Sequence, residues 1–392
     1  MNRIAVLNIV ALVILPAVRS PEGPSLTITA TNELDFPRPS ETLVLEAKDL
    51  QMLNTGDLRK IHVRDAQSGR ELLTQAIDLN GDSIMEELIF QADFRAHESR
   101  SYSLTTGAVQ LPSKDDFKAY GRFVRERYDD FAWENDRIAH RMYGTALETW
   151  QQEPLTSSAV DVWCKRVRRL VVNDWYMLDH YHEDTGEGGD FYSAGRSRGC
   201  GGSGIWVGGK LYVSRNFINS KVIANGPIRV MFELTYAPWQ ADGREVSEVK
   251  RITLDAGSNL DSFESHYKSS RPDGLVYAAG IKKNEGSVST SDKEAGWLRS
   301  WEPIRKGQLG FLGLGIVMDP GSIVNMAEAD DNYLVIGRAR ADGAAVYHAG
   351  FAWNRAGDFP DEQSWGEYLK QAALRIRSPL KIERKLIAAG GR

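Results

Sequence analysis

The chain is short of several things at once, and each shortage removes a class of function. It has only two cysteines, Cys164 and Cys200, in 392 residues. Two cysteines cannot make a disulfide scaffold, and no C-x-x-C pair is present, which argues against zinc held by thiolates. One Cys164–Cys200 disulfide and two separate thiols are both open. Basic charge is not concentrated anywhere. The net charge is −5, with 48 Lys and Arg against 53 Asp and Glu, so the sequence offers no basic stripe for a nucleic acid. Glycine-rich phosphate loops, dinucleotide fingerprints and the G-x-S-x-G nucleophile elbow are missing, as are internal repeats and low-complexity segments.

Long apolar runs are equally scarce. The one that exists is at the N-terminus, "MNRIAVLNIVALVILPAVRS". A single Arg precedes an apolar stretch from Ile4 to Val18, too short and too early for a spanning helix. Residues 1–20 therefore read as a signal peptide, with an uncleaved anchor as the alternative. The expectation is a periplasmic or secreted protein with no membrane span after the signal is removed.

What the chain has in quantity is aromatic residues and alternation. Ten Trp and fourteen Tyr are present. Such side chains build cores, and they also stack on the apolar C–H faces of sugar rings. "SLTITATNEL", "ETLVLEAKDL" and "RSYSLTTGAVQL" alternate apolar and polar residues, as strands with one buried face do. Residues 21–112 thus read as an N-terminal β-sandwich portion. Residues 115–144 read as a linker with strand character that runs into a functional segment. From residue 205 strands return, beginning with a hairpin "GIWVGGKLYV" turned at Gly208-Gly209. One strong helical pattern, "SWGEYLKQAALRIRSP", closes the chain, with Ser364 as its cap and Pro379 as its stop. The fold class is mainly β: a large β-sandwich with few helices and one C-terminal helix. Residues 113–392 form its main body, or 21–392 one continuous domain.

Three stretches could carry chemistry. "DLNGDSIMEEL" places Asp78, Asn80, Asp82 and Glu86 at positions one, three, five and nine of a loop. Oxygen ligands at that spacing suit a structural Ca²⁺, and the same residues suit a polar hairpin turn. Ser83 stands where such a calcium loop has glycine, and no acid stands at position twelve. "WENDRIAHRMYG" gathers Trp133, Glu134, Asp136, Arg137, His140, Arg141 and Tyr143, a mixture of acids, bases and aromatics on one surface. "DHYHEDTGEGGDFYSAGRSRGC" adds His180, Tyr181, His182, Asp190, Arg196 and Arg198, with Trp175 just before it. Alternating histidines point one way from a strand, where with a carboxylate they could bind a transition metal or equally serve as an acid/base pair around a sugar, and arginine forks suit carboxylates.

The blocks "WENDRIAHRMYG", "VWCKRVRRLVVNDWY", "YHEDTGEGGDFY" and "GRSRGCGGSGIW", with the "NGD" hairpin and "FESHY", resemble a bacterial family known as domain of unknown function 4861. The resemblance spans nearly all of the chain beyond residue 20. It implies an exported protein whose relatives are encoded beside pectin- and uronate-degrading enzymes, and a galactose-mutarotase-like supersandwich. It gives no residue-by-residue catalytic assignment. On such a sandwich, His, Tyr, Arg and a carboxylate on a concave sheet act on sugars, which adds Glu264 of "FESHY" to the candidates.

The leading expectation is an enzyme that cleaves an acidic, uronic-acid-containing polysaccharide or oligosaccharide, with β-elimination favoured over hydrolysis. His180 or His182 would be the base, Tyr143 or Tyr181 the acid, and Arg196 or Arg198 the partner of the uronate carboxylate. The alternatives are a non-catalytic sugar binder and a mutarotase or isomerase with Glu264 as base.

Overall fold

A computed structural model describes residues 24–152, 154–271 and 274–387. The proposed signal peptide lies outside the described residues. Among those described, no helix is long and apolar enough to cross a membrane.

The chain is mainly β, in antiparallel sheets stacked as sandwiches. The first sandwich has its own core of Leu26, Ile28, Leu43, Leu45, Phe90, Tyr102 and Leu104. Alternation builds it: in Ser25–Thr31 every second residue is buried. The last strand, Lys381–Ile387, crosses back to pair with Ser25–Thr31. The first and last strands among the described residues therefore share a sheet.

An eight-stranded sheet forms the middle of the molecule. One face packs through Phe263 and Tyr347 against a five-stranded sheet that includes Cys200–Val207 and Val276–Lys282. The Gly208-Gly209 turn is in place, and both glycines have positive φ. On the other face of the eight-stranded sheet lies the longest helix, Glu362–Arg377, with Trp365 and Leu369 set against Gly313 and Gly315. Asp361, not Ser364, caps it. Its carboxylate accepts the Ser364 N–H at 2.8 Å, and Ser364 completes a capping box from inside the helix.

Residues 115–144 are not a linker. They supply strands Ala119–Val124, Asp130–Asn135 and Ala139–Met142 of a further five-stranded sheet, joined by Asp161–Lys165 and Gly188–Gly189. Both faces of this sheet are covered, which hides the simple alternation of a half-exposed strand. Phe131 and Trp133 face the central sheet, where Phe131 stacks on Phe232 at 4.1 Å. Asp130, Ala132 and Glu134 face the other way, under the short helix Val172–Leu178, whose Trp175 and Tyr176 pack there with Trp163 and Tyr181.

Cys164 and Cys200 are both free and buried in the main core.

Candidate functional site

At one end of the outer face of the Ala119–Gly189 sheet, four segments converge on Arg141. Its Nε donates to Asp161 Oδ2 at 2.8 Å and its Nη2 to Asp190 Oδ2 at 2.8 Å, while Nη1 lies 3.5 Å from Asp130 Oδ2. The Tyr143 hydroxyl donates to Asp161 Oδ2 at 2.9 Å, and the Tyr176 hydroxyl to Asp130 Oδ2 at 3.3 Å. Strand alternation places these groups. Register sets Arg141 opposite Asp161 on one side and Ala132 on the other, so Asp130, Arg141, Tyr143 and Asp161 all project from one face. Gly188 lets the Asp190 loop approach: its φ is +119°, and a Cβ there would lie 2.0 Å from the Cys164 carbonyl oxygen.

The three aspartate side chains are each only 1 % exposed. Burial pushes the Asp130 carboxyl up to about 7, against the pull of Arg141 and Arg127. Burial, joined by the Asp161 charge, raises Asp190 well above the usual carboxylate range. Burial also works against the Arg141 charge, but Asp190 and Asp161 outweigh it and hold the guanidinium protonated. Asp130 Oδ1, Asp190 Oδ1 and Arg141 Nη1 have no hydrogen-bond partner among the described residues.

Beside this cluster runs a line of side chains that includes the half-buried Arg127 and Tyr128, the buried Tyr181 and the exposed His182. Arg127 donates from Nε to the Tyr181 hydroxyl at 2.8 Å. Its guanidinium lies 4.9 Å from the Trp150 ring and 5.5 Å from that of Tyr128, which stack on each other at 4.4 Å. Tyr128, Trp150 and Gln151 line a surface hollow of about 410 Å³. On the other side of Tyr181 stands His182, with ring centroids 4.5 Å apart. The His182 side chain is 57 % exposed, and its Nδ1 lies 3.3 Å from the Asp190 carbonyl oxygen. Burial of its inner edge, with Arg141 and Arg127 nearby, holds the imidazole below its ordinary value and so neutral at pH 7. Tyr128 and Asp129 are consecutive non-glycine residues with φ of +51° and +63°. Gly144 sits so close to this turn that a Cβ on it would lie 1.9 Å from the Asp129 carbonyl oxygen. Packing thus over-determines a strained turn beside the site.

The candidate residues separate into distinct places. Arg141, Tyr143, Trp175, Tyr181, His182 and Asp190 come together here. Trp133 and His140 lie on the opposite face of the same sheet, fully buried. His140 Nε2 stands 3.1 Å from Asp261 Oδ2, and Trp133 donates to Asp261 Oδ1 at 2.7 Å. Glu134 is also fully buried, 2.8 Å from Lys165 Nζ, and accepts the Val171 and Val172 N–H groups that open the short helix. It is an internal cap. Asp136 and Arg137 stand in the turn between strands, where Asp136 accepts the Gly257 N–H and Arg137 pairs with Asp358. His180 and Arg196 are exposed on loops. Arg198 is buried in the central core against Ser158 Oγ, and burial pulls it down to about 10. Glu264 faces outward from the eight-stranded sheet beside His266, 3.4 Å away. Arg198 is held in the core, away from Tyr181 and His182, and Glu264 is on another sheet.

In the Asp78–Glu86 loop, carboxylate oxygens of Asp78, Asp82 and Glu86 lie within 4.8 Å of one another. Those oxygens also accept hydrogen bonds within the loop: Asp78 from Gly81 and Ser83 N–H, Asp82 from Ile84 N–H, and Glu86 from Leu79 N–H and the Asn80 amide. Ser83 takes the left-handed conformation, φ +72°, that glycine adopts more readily.

Arg127, Tyr128, Asp130, Trp150, Asp161 and Tyr176 were not among the sequence candidates. Alternation back from Glu134 reaches Asp130 on the same face, so Asp130 was within reach of pattern reading. Trp150 carries no such signal, since only folding sets it against Tyr128.

The chain belongs to the family described as domain of unknown function 4861, whose match covers residues 30–382. Among curated relatives, it is 32 % identical over 376 residues to "Uncharacterized protein P7" of Formosa agariphila, across 91 % of this chain and 92 % of that protein. Solved structures give more distant matches. An alpha-mannosidase of Enterococcus faecalis V583 aligns with a TM-score of 0.44 at 9 % identity, and a glycosyl hydrolase family 38 protein of Enterococcus faecalis with 0.45 at 10 %. Each alignment covers 93 % of this chain, which spans about half the length of either structure (46 % and 47 %). Similarity of that degree supports no statement about activity.

Proposed function

We propose that the protein is an exported carbohydrate-active enzyme that cleaves a uronic-acid-containing glycan by β-elimination, at the line of side chains Trp150–Arg127–Tyr181–His182. The observation that carries this reading is the 2.8 Å hydrogen bond from Arg127 to Tyr181, with the neutral, half-exposed His182 on the other side of that ring. Elimination needs three groups close together. A cation must neutralise the uronate carboxylate, which acidifies the C5 proton. A base must take that proton, and an acid must protonate the departing oxygen at C4. Arg127 supplies the cation, His182 the base and Tyr181 the acid. The C5–H and C4–O bonds break, a C4–C5 double bond forms, and the aglycone leaves as an alcohol. Tyr128 and Trp150 give a sugar ring an apolar wall.

Hydrolysis is supported less well. It needs two carboxyl groups facing the glycosidic bond, whereas Asp130, Asp161 and Asp190 are buried and turned to Arg141. The feature in its favour is Asp130, which holds a proton near neutral pH.

The test is incubation with polygalacturonate and related uronides, followed by ultraviolet absorbance and a reducing-end assay. Absorbance of an unsaturated uronide, lost in Tyr181→Phe and His182→Ala, is the expected result. Reducing ends without absorbance would reject elimination, and binding without any product would reject catalysis.

A further inference from the structure

A second hollow, about 480 Å³, opens on the outer face of the eight-stranded sheet. Two walls define it. One is the N-terminal sandwich, through Ser40 and Glu41. The other is the C-terminal helix, through Tyr368 and Arg375. Its volume falls in the range of roughly 300–1,000 Å³ common to small-molecule sites.

The floor is a row of three polar side chains on adjacent strands. Thr253 pairs with Ser262, and Ser262 pairs with His348. Residues directly opposite in a sheet project to the same side, so all three point into the hollow. Among the described residues, none of the Thr253 hydroxyl, the Ser262 hydroxyl and the His348 imidazole has a hydrogen-bond partner. Enclosure pulls His348 down to about 4, so its ring is neutral and offers one donor and one acceptor.

The charges around the hollow are already matched in pairs. Arg229 grips Asp255 through two bonds of 2.6 and 2.9 Å. Arg375 donates to Glu41 at 2.5 Å. The Tyr368 hydroxyl accepts the Asn259 N–H at 3.0 Å, which fixes the phenol ring at the wall. A charged ligand would find no free counter-charge there. A ligand with several hydroxyl groups would find groups that both donate and accept, beside an aromatic wall suited to C–H faces.

We propose that this hollow is a second saccharide site, which binds one uncharged sugar residue through Thr253, Ser262 and His348. It stands on its own residues and does not depend on the elimination chemistry. The two sites lie on different sheets, so one can be occupied or altered without the other.

The experiment uses the full protein with ¹³C-labelled histidine rings, and His348→Gln to assign the His348 resonance. The probes are methyl glycosides of glucose, galactose and mannose, with galacturonate as the charged comparator. A neutral glycoside is expected to move the His348 resonance in a saturable way. Thr253→Val, which keeps the side-chain shape, and Ser262→Ala, which removes only the hydroxyl, should each weaken that binding by about tenfold, and unchanged thermal melting would show the fold intact. An unmoved His348 resonance with all three glycosides overturns the proposal. So does a shift with galacturonate alone, or binding that both hydroxyl-deleting variants leave unchanged. Because resonances are read rather than turnover, failure of the elimination reading would leave this result intact, and the reverse also holds.

Discussion

The Arg141 guanidinium and the Asp190 carboxylate stand 49 residues apart in sequence and 2.8 Å apart in space. That contact joins the two segments richest in functional side chains. It is also where three buried aspartates share their principal counter-charge.

Removal of that counter-charge should be severe. Arg141→Met would leave Asp130, Asp161 and Asp190 buried around an apolar side chain. Breaking a buried ionic group by deleting one partner costs about 3–5 kcal/mol. Chemical denaturation should show a loss of that size, or an insoluble product. A loss below 1 kcal/mol would mean that solvent screens the cluster.

Asp130 predicts a pH dependence of stability. An ordinary aspartate titrates near 3.8, and this one near 7 in the folded protein. The folded state therefore keeps a proton that the unfolded state releases, and stability falls as pH rises from about 4 to about 7, then levels off. At about 1.4 kcal/mol per unit, the full effect is on the order of 4 kcal/mol. The isosteric Asp130→Asn should remove that fall. Parallel denaturation series from pH 4 to 8 that show the same slope in both proteins would contradict it.

His182 and Tyr181 should report as a pair on any uronide turned over. His182→Ala and Tyr181→Phe are each expected to lower kcat by roughly 10²–10⁴ with the fold unchanged by circular dichroism. Because His182 must be neutral to accept a proton, the acid limb of the pH profile should lie below the ordinary histidine value. An acid limb above it would point to another base.

Trp150 should govern binding more than chemistry. Trp150→Ala removes the ring that Tyr128 and Arg127 pack against. Initial-rate measurements should show KM rising by roughly tenfold with a smaller change in kcat. A pure loss of kcat would argue against a platform role.

Gly144→Ala tests the strained turn. The new Cβ would press on the Asp129 backbone. Overpacking of this kind costs about 1–3 kcal/mol, and here it should also displace Tyr128, so thermal stability and glycoside affinity should fall together. A fall in stability alone would separate the turn from binding.

Strands with one covered face could be read directly. Ser25–Thr31 buries every second residue because one side meets the sandwich core, and period-two alternation records that. The Gly208-Gly209 hairpin was legible because a tight turn needs left-handed backbone that glycine adopts without cost. Residues 115–144 were misread as a linker because their sheet is covered on both sides. Asp130 and Glu134 are as buried as Phe131 and Trp133, so polarity no longer marks the exposed face.

The sequence by itself determined the β class and the family, and it singled out the segments 133–143 and 173–204, from which Arg141, Tyr143, Trp175, Tyr181, His182 and Asp190 come. These follow from local pattern and composition, which are properties of neighbouring residues. Only the tertiary structure decided which members of those segments share a face. It sent His140 and Trp133 to Asp261 in the core, set Arg198 in the core, and brought Arg127 to Tyr181 and Trp150 to Arg127. Strand register and sheet stacking make those choices, and both depend on contacts between residues tens to hundreds of positions apart, which no local pattern encodes.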